Sequence, residues 1–372
     1  TKERSGNYAY RLMRAGLSPD ITPQESLMRF VKLKLSKIFE ILFFLLVMAL
    51  TFYTVFSRND LLKIFSSMQH LNPFYFICAI FSAVFFVCME GFMIWYLLKL
   101  TEKKVSLFRC FSYSFIGFFF SGITPSATGG QPAQLLAMKK DRLSMGSATL
   151  SLMAVAVLYK LILVLIGLGI LLFWKKGLSA YLGSYMAFYY FGIFLNALLV
   201  FLLLLLMLHG NRMENLLLRI ENFFIKIRLC KPSNQRKKAF HQLVADYQET
   251  LHFLLKHKSR LLFIALCTFF QRCSLFLLTW FIYRGFGLSG HSPMLVMALQ
   301  ASIYIAVDML PLPGSQGISE LMYVSVFSSV FTDALLAPSM CVTRGLSFYF
   351  LLTTGACTAL FYKIRSHYSQ SR

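Results

Sequence analysis

FFFSGITPSATGGQPAQL, residues 118–135, sets two prolines and three glycines directly after an apolar run. Pro125 and Pro132 interrupt a helix, and Gly129–Gly130 permits a tight reversal. In lipid such backbone leaves N–H and C=O groups without partners. It is tolerated only when buried in protein or lining a wet cavity. Two readings stand: a segment that dips into a bilayer and returns, or a cytoplasmic loop with ordinary turn chemistry. The flanking sequence has to decide.

That flanking sequence is strongly apolar. The 372 residues are 57% hydrophobic and 14% charged, with 39 phenylalanines, whereas a soluble domain runs roughly 45–50% apolar and about 25% charged. Apolar stretches occupy 39–56, 74–98, 108–123, 146–173, 181–208, 261–283, 292–310, 318–336 and 341–362. Several exceed the ~18–20 residues of a spanning helix. Soluble, disordered, collagen-like and disulfide-scaffold chains are excluded. The expected fold class is an all-α polytopic membrane protein. Its net charge of +22 would suggest nucleic acid in a soluble chain; here it points to basic cytoplasmic loops, and no nucleic-acid partner is expected.

The basic residues cluster in a leader (1–37), between Lys99 and Arg109, at Lys139, Lys140 and Arg142, across 209–260, and at Lys363, Arg365 and Arg372. The other loops hold only Arg58, Lys63, Lys175, Lys176 and Arg284. Were 108–123 a crossing, the Lys139 cluster would face outward and every later loop would invert. The re-entrant reading of 108–135 keeps all rich loops inside, giving about eight full spans and both termini cytoplasmic. The chain then divides into the leader, a first transmembrane half (38–208), a cytoplasmic linker (209–260), a second half (261–363) and a tail (364–372). In the linker, Phe240, Leu243, Val244, Tyr247, Leu251 and Leu254 recur at helical spacing beside Arg236, Lys237 and Lys238. That pattern suits an amphipathic helix on an anionic leaflet. The late start of the first apolar block, after a basic leader, reads as a retained span and not a cleaved signal.

A second broken stretch, VDMLPLPGSQGISEL at 307–321, resembles the first. Aligning Pro125 with Pro311 sets Gln134 opposite Glu320. Chance composition in Gly/Pro loops is one explanation; an internal repeat, parallel or inverted, with the substrate site between its copies is the other. Were 307–321 fully re-entrant, the C-terminus would be expected outside, and the basic tail argues against that. Inside apolar blocks lie Glu90, Lys160, Arg272, Asp308, Glu320 and Arg344. A charge at mid-membrane costs at least ~2.5–3.5 kcal/mol, so such residues face the bundle interior and pair. Glu320 opens a helix, where the dipole favours a carboxylate. Two antiparallel helices can bring it level with Arg344. The pair either fixes packing or forms part of a polar cavity for a charged headgroup, and a guanidinium is the natural phosphate partner.

No Walker A, HExxH or GxSxG sequence occurs, and no cysteine pair has zinc or redox spacing. Neither a cofactor nor a metal is expected. Cys78, Cys88, Cys267, Cys273, Cys341 and Cys357 lie within apolar blocks and Cys110 at the start of one, as small buried hydrophobes do.

TPSATGGQP at 124–132, followed by a basic loop, resembles the first hallmark of the lysylphosphatidylglycerol synthase transmembrane-region family. LPLPGSQGISE at 310–320, followed by Arg344, resembles the second. The resemblance covers about 35–365. It implies the flippase module of multiple peptide resistance factors, which carries aminoacylated phosphatidylglycerol to the outer leaflet, with roles for Glu320 and Arg344. Gln134 stands where many members carry Arg. Full-length synthases add a soluble transferase domain after the membrane part. This chain ends soon after its last apolar block, so no lysyl transfer from tRNA is expected of these residues alone.

The expected function is therefore phospholipid translocation in a bacterial plasma membrane, aiding resistance to cationic peptides, with a lipid headgroup as substrate. The expected ligand-binding residues are Thr124, Pro125, Gly129, Gly130, Gln131, Gln134, Asp308, Gly314, Gly317, Glu320 and Arg344, with Glu90, Lys160 and Arg272 as further intramembrane charges. The alternatives are the membrane component of a phosphatidylglycerol lysyltransferase working with a separate synthase subunit, or a scaffold that transports nothing.

Overall fold

The computed structural model describes residues 69–99, 105–124, 127–208, 258–310 and 312–370, with isolated positions elsewhere. The basic leader, the 39–56 block, Pro125, Pro311 and nearly all of the 209–260 linker lie outside the described residues. The rest is an all-α membrane fold, with no strand among the described residues.

Among the described residues five helices are long. Helix α1 (Pro73–Leu98) starts where Asn72 accepts the Phe74 N–H at 3.0 Å and Pro73 presets the first turn. Its 26 residues span about 39 Å at 1.5 Å per residue, enough to cross a bilayer. After it come α2 (Leu107–Ile123) and α3 (Gly130–Lys140), a short pair, and then α4 (Met145–Leu182) and α5 (Met186–Leu208). Helix α4 breaks at Trp174, whose φ of −142° is not helical, so its crossing part ends where the apolar block does. The second half repeats the order: long α6 (Lys258–Gly285), short α7 (Pro293–Val307) and α8 (Ile318–Phe327), then α9 (Asp333–Arg344). Helix α9 runs through a π-helical turn at Gly345–Phe350 into α10 (Leu351–Gln370).

Two blocks differ from expectation. Those at 292–310 and 318–336 form helices of 15 and 10 residues, about 22 and 15 Å long and too short to cross. Hydropathy does not register the backbone break between them. Together they form a hairpin matching α2–α3. Exchanging two crossings for one hairpin leaves the side of everything downstream unchanged, so the basic tail is no argument against a re-entrant second motif. Pro132 also differs from its reading as a breaker. It is the third residue of α3, in the first turn, where its missing N–H has no helical partner to lose.

The two leading helices, α1 and α6, form the most extensive contact in the fold. Gln271 on α6 donates to the Phe86 carbonyl of α1 at 2.8 Å. Helix α2 lies against α10, and α7 against α5, through glycines. A Cβ at Gly355 would stand 2.6 Å from the Phe115 carbonyl oxygen, and one at Gly192 only 2.1 Å from that of Ile305. Phe81, Phe173, Phe201, Phe269 and Phe361 point outward and exposed, as lipid-facing side chains do in a membrane protein.

Candidate functional site

The first break is closed by its own side chains. Thr124 Oγ1 donates to the Phe120 carbonyl at 2.7 Å and accepts the Gly129 N–H at 2.9 Å. Glycines then let α3 fold tightly onto α2. A Cβ at Gly130 would meet Ser121 Oγ at 2.0 Å, and one at Gly117 would meet Gln134 Nε2 at 2.3 Å. Gln134 therefore lies across Gly117, and its Nε2 donates to Glu90 Oε1 on α1 at 2.7 Å.

The second break uses charge. Gly314 and Gly317 have φ of +58° and +84°, a region that suits glycine. Glu320 occupies the third position of α8 and turns its carboxylate back to the Gly317 N–H at 2.7 Å, with Ser319 Oγ also donating at 2.7 Å. This satisfies a free N–H and places negative charge at the positive end of the helix. Arg344 then donates through Nε to Glu320 Oε1 at 2.7 Å and through Nη2 to the Gly314 carbonyl at 2.9 Å. Just before the break, Asp308 forms an ion pair with Lys160 of α4, joining the two halves.

Both breaks open onto one cavity of about 450 Å³. Its wall includes Glu90, Ser121, Thr128, Gly130, Gln131, Gln134, Lys160, Asp308, Gly314, Ser319 and Arg344, with Phe86, Phe118 and Phe348 as apolar surface. Of the residues singled out in the sequence, Gly130, Gln131, Gln134, Asp308, Gly314, Arg344, Glu90 and Lys160 are thus brought together at the wall. Thr124, Gly129, Gly317 and Glu320 shape it from behind through the bonds above, and Arg272 is buried behind Phe86 and Tyr159. Sequence reasoning passed over Tyr159, Gln300 and Tyr304, which also line the cavity. Gln300 left a trace, as an amide within an apolar block; the two tyrosines left none, being ordinary in membrane helices.

Two broken hairpins meet at one cavity, largely apolar but with charged and amide groups on its wall, inside a shell of apolar helices that suits a membrane protein. The chain belongs to the family described as the lysylphosphatidylglycerol synthase TM region, whose model matches residues 37–355. A comparison with curated proteins gives no match.

Proposed function

We propose that this chain translocates phospholipid, passing a polar headgroup through the cavity while the acyl chains stay in lipid. The observation that carries this is the meeting of both broken hairpins, with acids and bases from both halves, at one cavity large enough for a headgroup. Carboxylates and ammonium or guanidinium groups on one wall suit a headgroup bearing both a phosphate and a cation, such as an aminoacylated phosphatidylglycerol. The family's description also supports a second reading, in which the chain is the membrane component of lysylphosphatidylglycerol synthesis beside a separate catalytic subunit. A scaffold without transport predicts instead that neutralising the cavity charges alters stability alone.

In this reading the protein sits in a bacterial plasma membrane with both termini cytoplasmic, and the 209–260 linker rests on anionic lipid. The α2–α3 hairpin enters from the inside and the α7–α8 hairpin from the outside, making the halves an inverted repeat. Cysteines placed at Ser126 and Ser144 should react with impermeant reagent only from the inside, and one at Ser289 only from the outside; the opposite pattern defeats the topology. The functional test is reconstitution in vesicles carrying head-labelled lysylphosphatidylglycerol, followed by quenching of the outer leaflet. Protection kinetics identical to protein-free vesicles would remove the translocator reading.

A further inference from the structure

Arg272, midway along α6, is fully buried, and none of its three side-chain nitrogens has a hydrogen-bond partner among the described residues. The other five intramembrane charges are engaged: Glu90 by Gln134, Asp308 by Lys160, and Glu320 by Arg344. A buried guanidinium offers five N–H donors in a planar fork, and burying a charge without hydrogen bonds is strongly unfavourable. Its retention calls for a partner that arrives from elsewhere.

The surroundings indicate which kind. The guanidinium carbon lies 3.0 Å from the centroid of the Tyr159 ring and 5.7 Å from that of Phe86, and both rings line the cavity. Lys160 Nζ is 5.6 Å from the same Tyr159 centroid. Two cations thus flank one aromatic side chain at the cavity wall. The carboxylates of Glu90 and Asp308 act on Arg272 through space, yet neither hydrogen-bonds to it. Arg344 is the less suitable anion ligand, because Glu320 and the Gly314 carbonyl already occupy its Nε and Nη2.

We infer that Arg272 is an anion-binding residue of the cavity, covered by the Tyr159 ring, and that it takes a phosphate group when that ring swings aside, with Lys160 as the second cation. The planar fork fits two phosphate oxygens at once. The inference rests on the headgroup reading only for the source of the phosphate, which a free phosphate ion could equally supply.

The test uses the full chain in detergent, with dihexanoyl phosphatidylglycerol, inorganic phosphate and uncharged dihexanoylglycerol as probes. Arg272→Met removes the charge but keeps an unbranched side chain. Because a cation buried without hydrogen bonds lowers stability, its Tm should equal or exceed the parent's. Its affinity for dihexanoyl phosphatidylglycerol should fall about tenfold or more, the size expected of charge-assisted hydrogen bonds. Arg272→Lys should lie between, and dihexanoylglycerol should not distinguish the three proteins. A lowered Tm in Arg272→Met would make the charge structural and overturn the inference, as would unchanged affinity. A parent that binds inorganic phosphate through Arg272 but not the short-chain lipid leaves the Arg272 site standing and removes the headgroup reading. A parent that binds the lipid equally well with Arg272→Met does the reverse, and binding of neither probe overturns the inference.

Discussion

The α2–α3 and α7–α8 hairpins meet the same difficulty, a helix broken inside an apolar bundle, with different chemistry. In the first, glycines at 117 and 130 let the two arms approach until an amide, Gln134, reaches Glu90. In the second, a carboxylate takes two donors at its own helix start and is then held by Arg344. One break is closed by close approach and the other by an ion pair. The first should therefore be sensitive to added volume, and the second to lost charge.

The largest effect is expected at the second. Glu320 and Arg344 have side-chain exposures of 5% and 14%. Removing either partner of a buried pair typically costs about 3–5 kcal/mol, because the other charge is left uncompensated. Glu320→Gln and Arg344→Gln should each lower the unfolding midpoint of the solubilised protein strongly, and the double variant by much less than the sum. Additive losses would mean that the two side chains stabilise the fold independently.

How far the sequence reaches differs between these hairpins too. Proline, glycine and charge made both breaks visible, and the spacing of Glu320 and Arg344 allowed their contact to be foreseen. The lengths of α7 and α8 were hidden, since Leu310 and Leu312 keep the hydropathy high through the turn. Glu90–Gln134 and Lys160–Asp308 were hidden for another reason. Their partners are 44 and 148 residues apart; folding of α3 back onto α1 joins the first pair, and packing of the two halves joins the second. The cavity is a property of that packing.

A middle-sized effect is expected from volume at the first hairpin. Gly117→Ala would place a Cβ 2.3 Å from Gln134 Nε2 and 2.6 Å from its Cδ, so the amide must leave Glu90. Overpacking of this kind costs typically 1–3 kcal/mol. Gly345→Ala, with open space around the added carbon, is the control for a glycine on the second hairpin's side and should leave the midpoint nearly unchanged. Equal losses for the two would remove close approach as what distinguishes the first break.

The smallest effect on stability, and the most telling for transport, is expected from Glu90→Gln. The substituted side chain keeps a carbonyl oxygen that can accept from Gln134 Nε2, so the hydrogen bond survives with a neutral acceptor. A charge-assisted bond contributes more than a neutral one, but the ordinary net value is only about 0.5–1.5 kcal/mol. Removing a carboxylate from the bilayer interior offsets part of that loss. The unfolding midpoint should therefore move little. If the chain translocates lipid as proposed, the rate should fall, because a headgroup in the cavity would bring its cationic part against Glu90, a cavity-wall acid. Vesicle assays with lysylphosphatidylglycerol and with unmodified phosphatidylglycerol separate the two roles. A rate lowered for the lysylated lipid alone assigns Glu90 to the cation. Equal loss for both lipids, with a falling midpoint, would make Glu90 the counter-charge that keeps Arg272 buried.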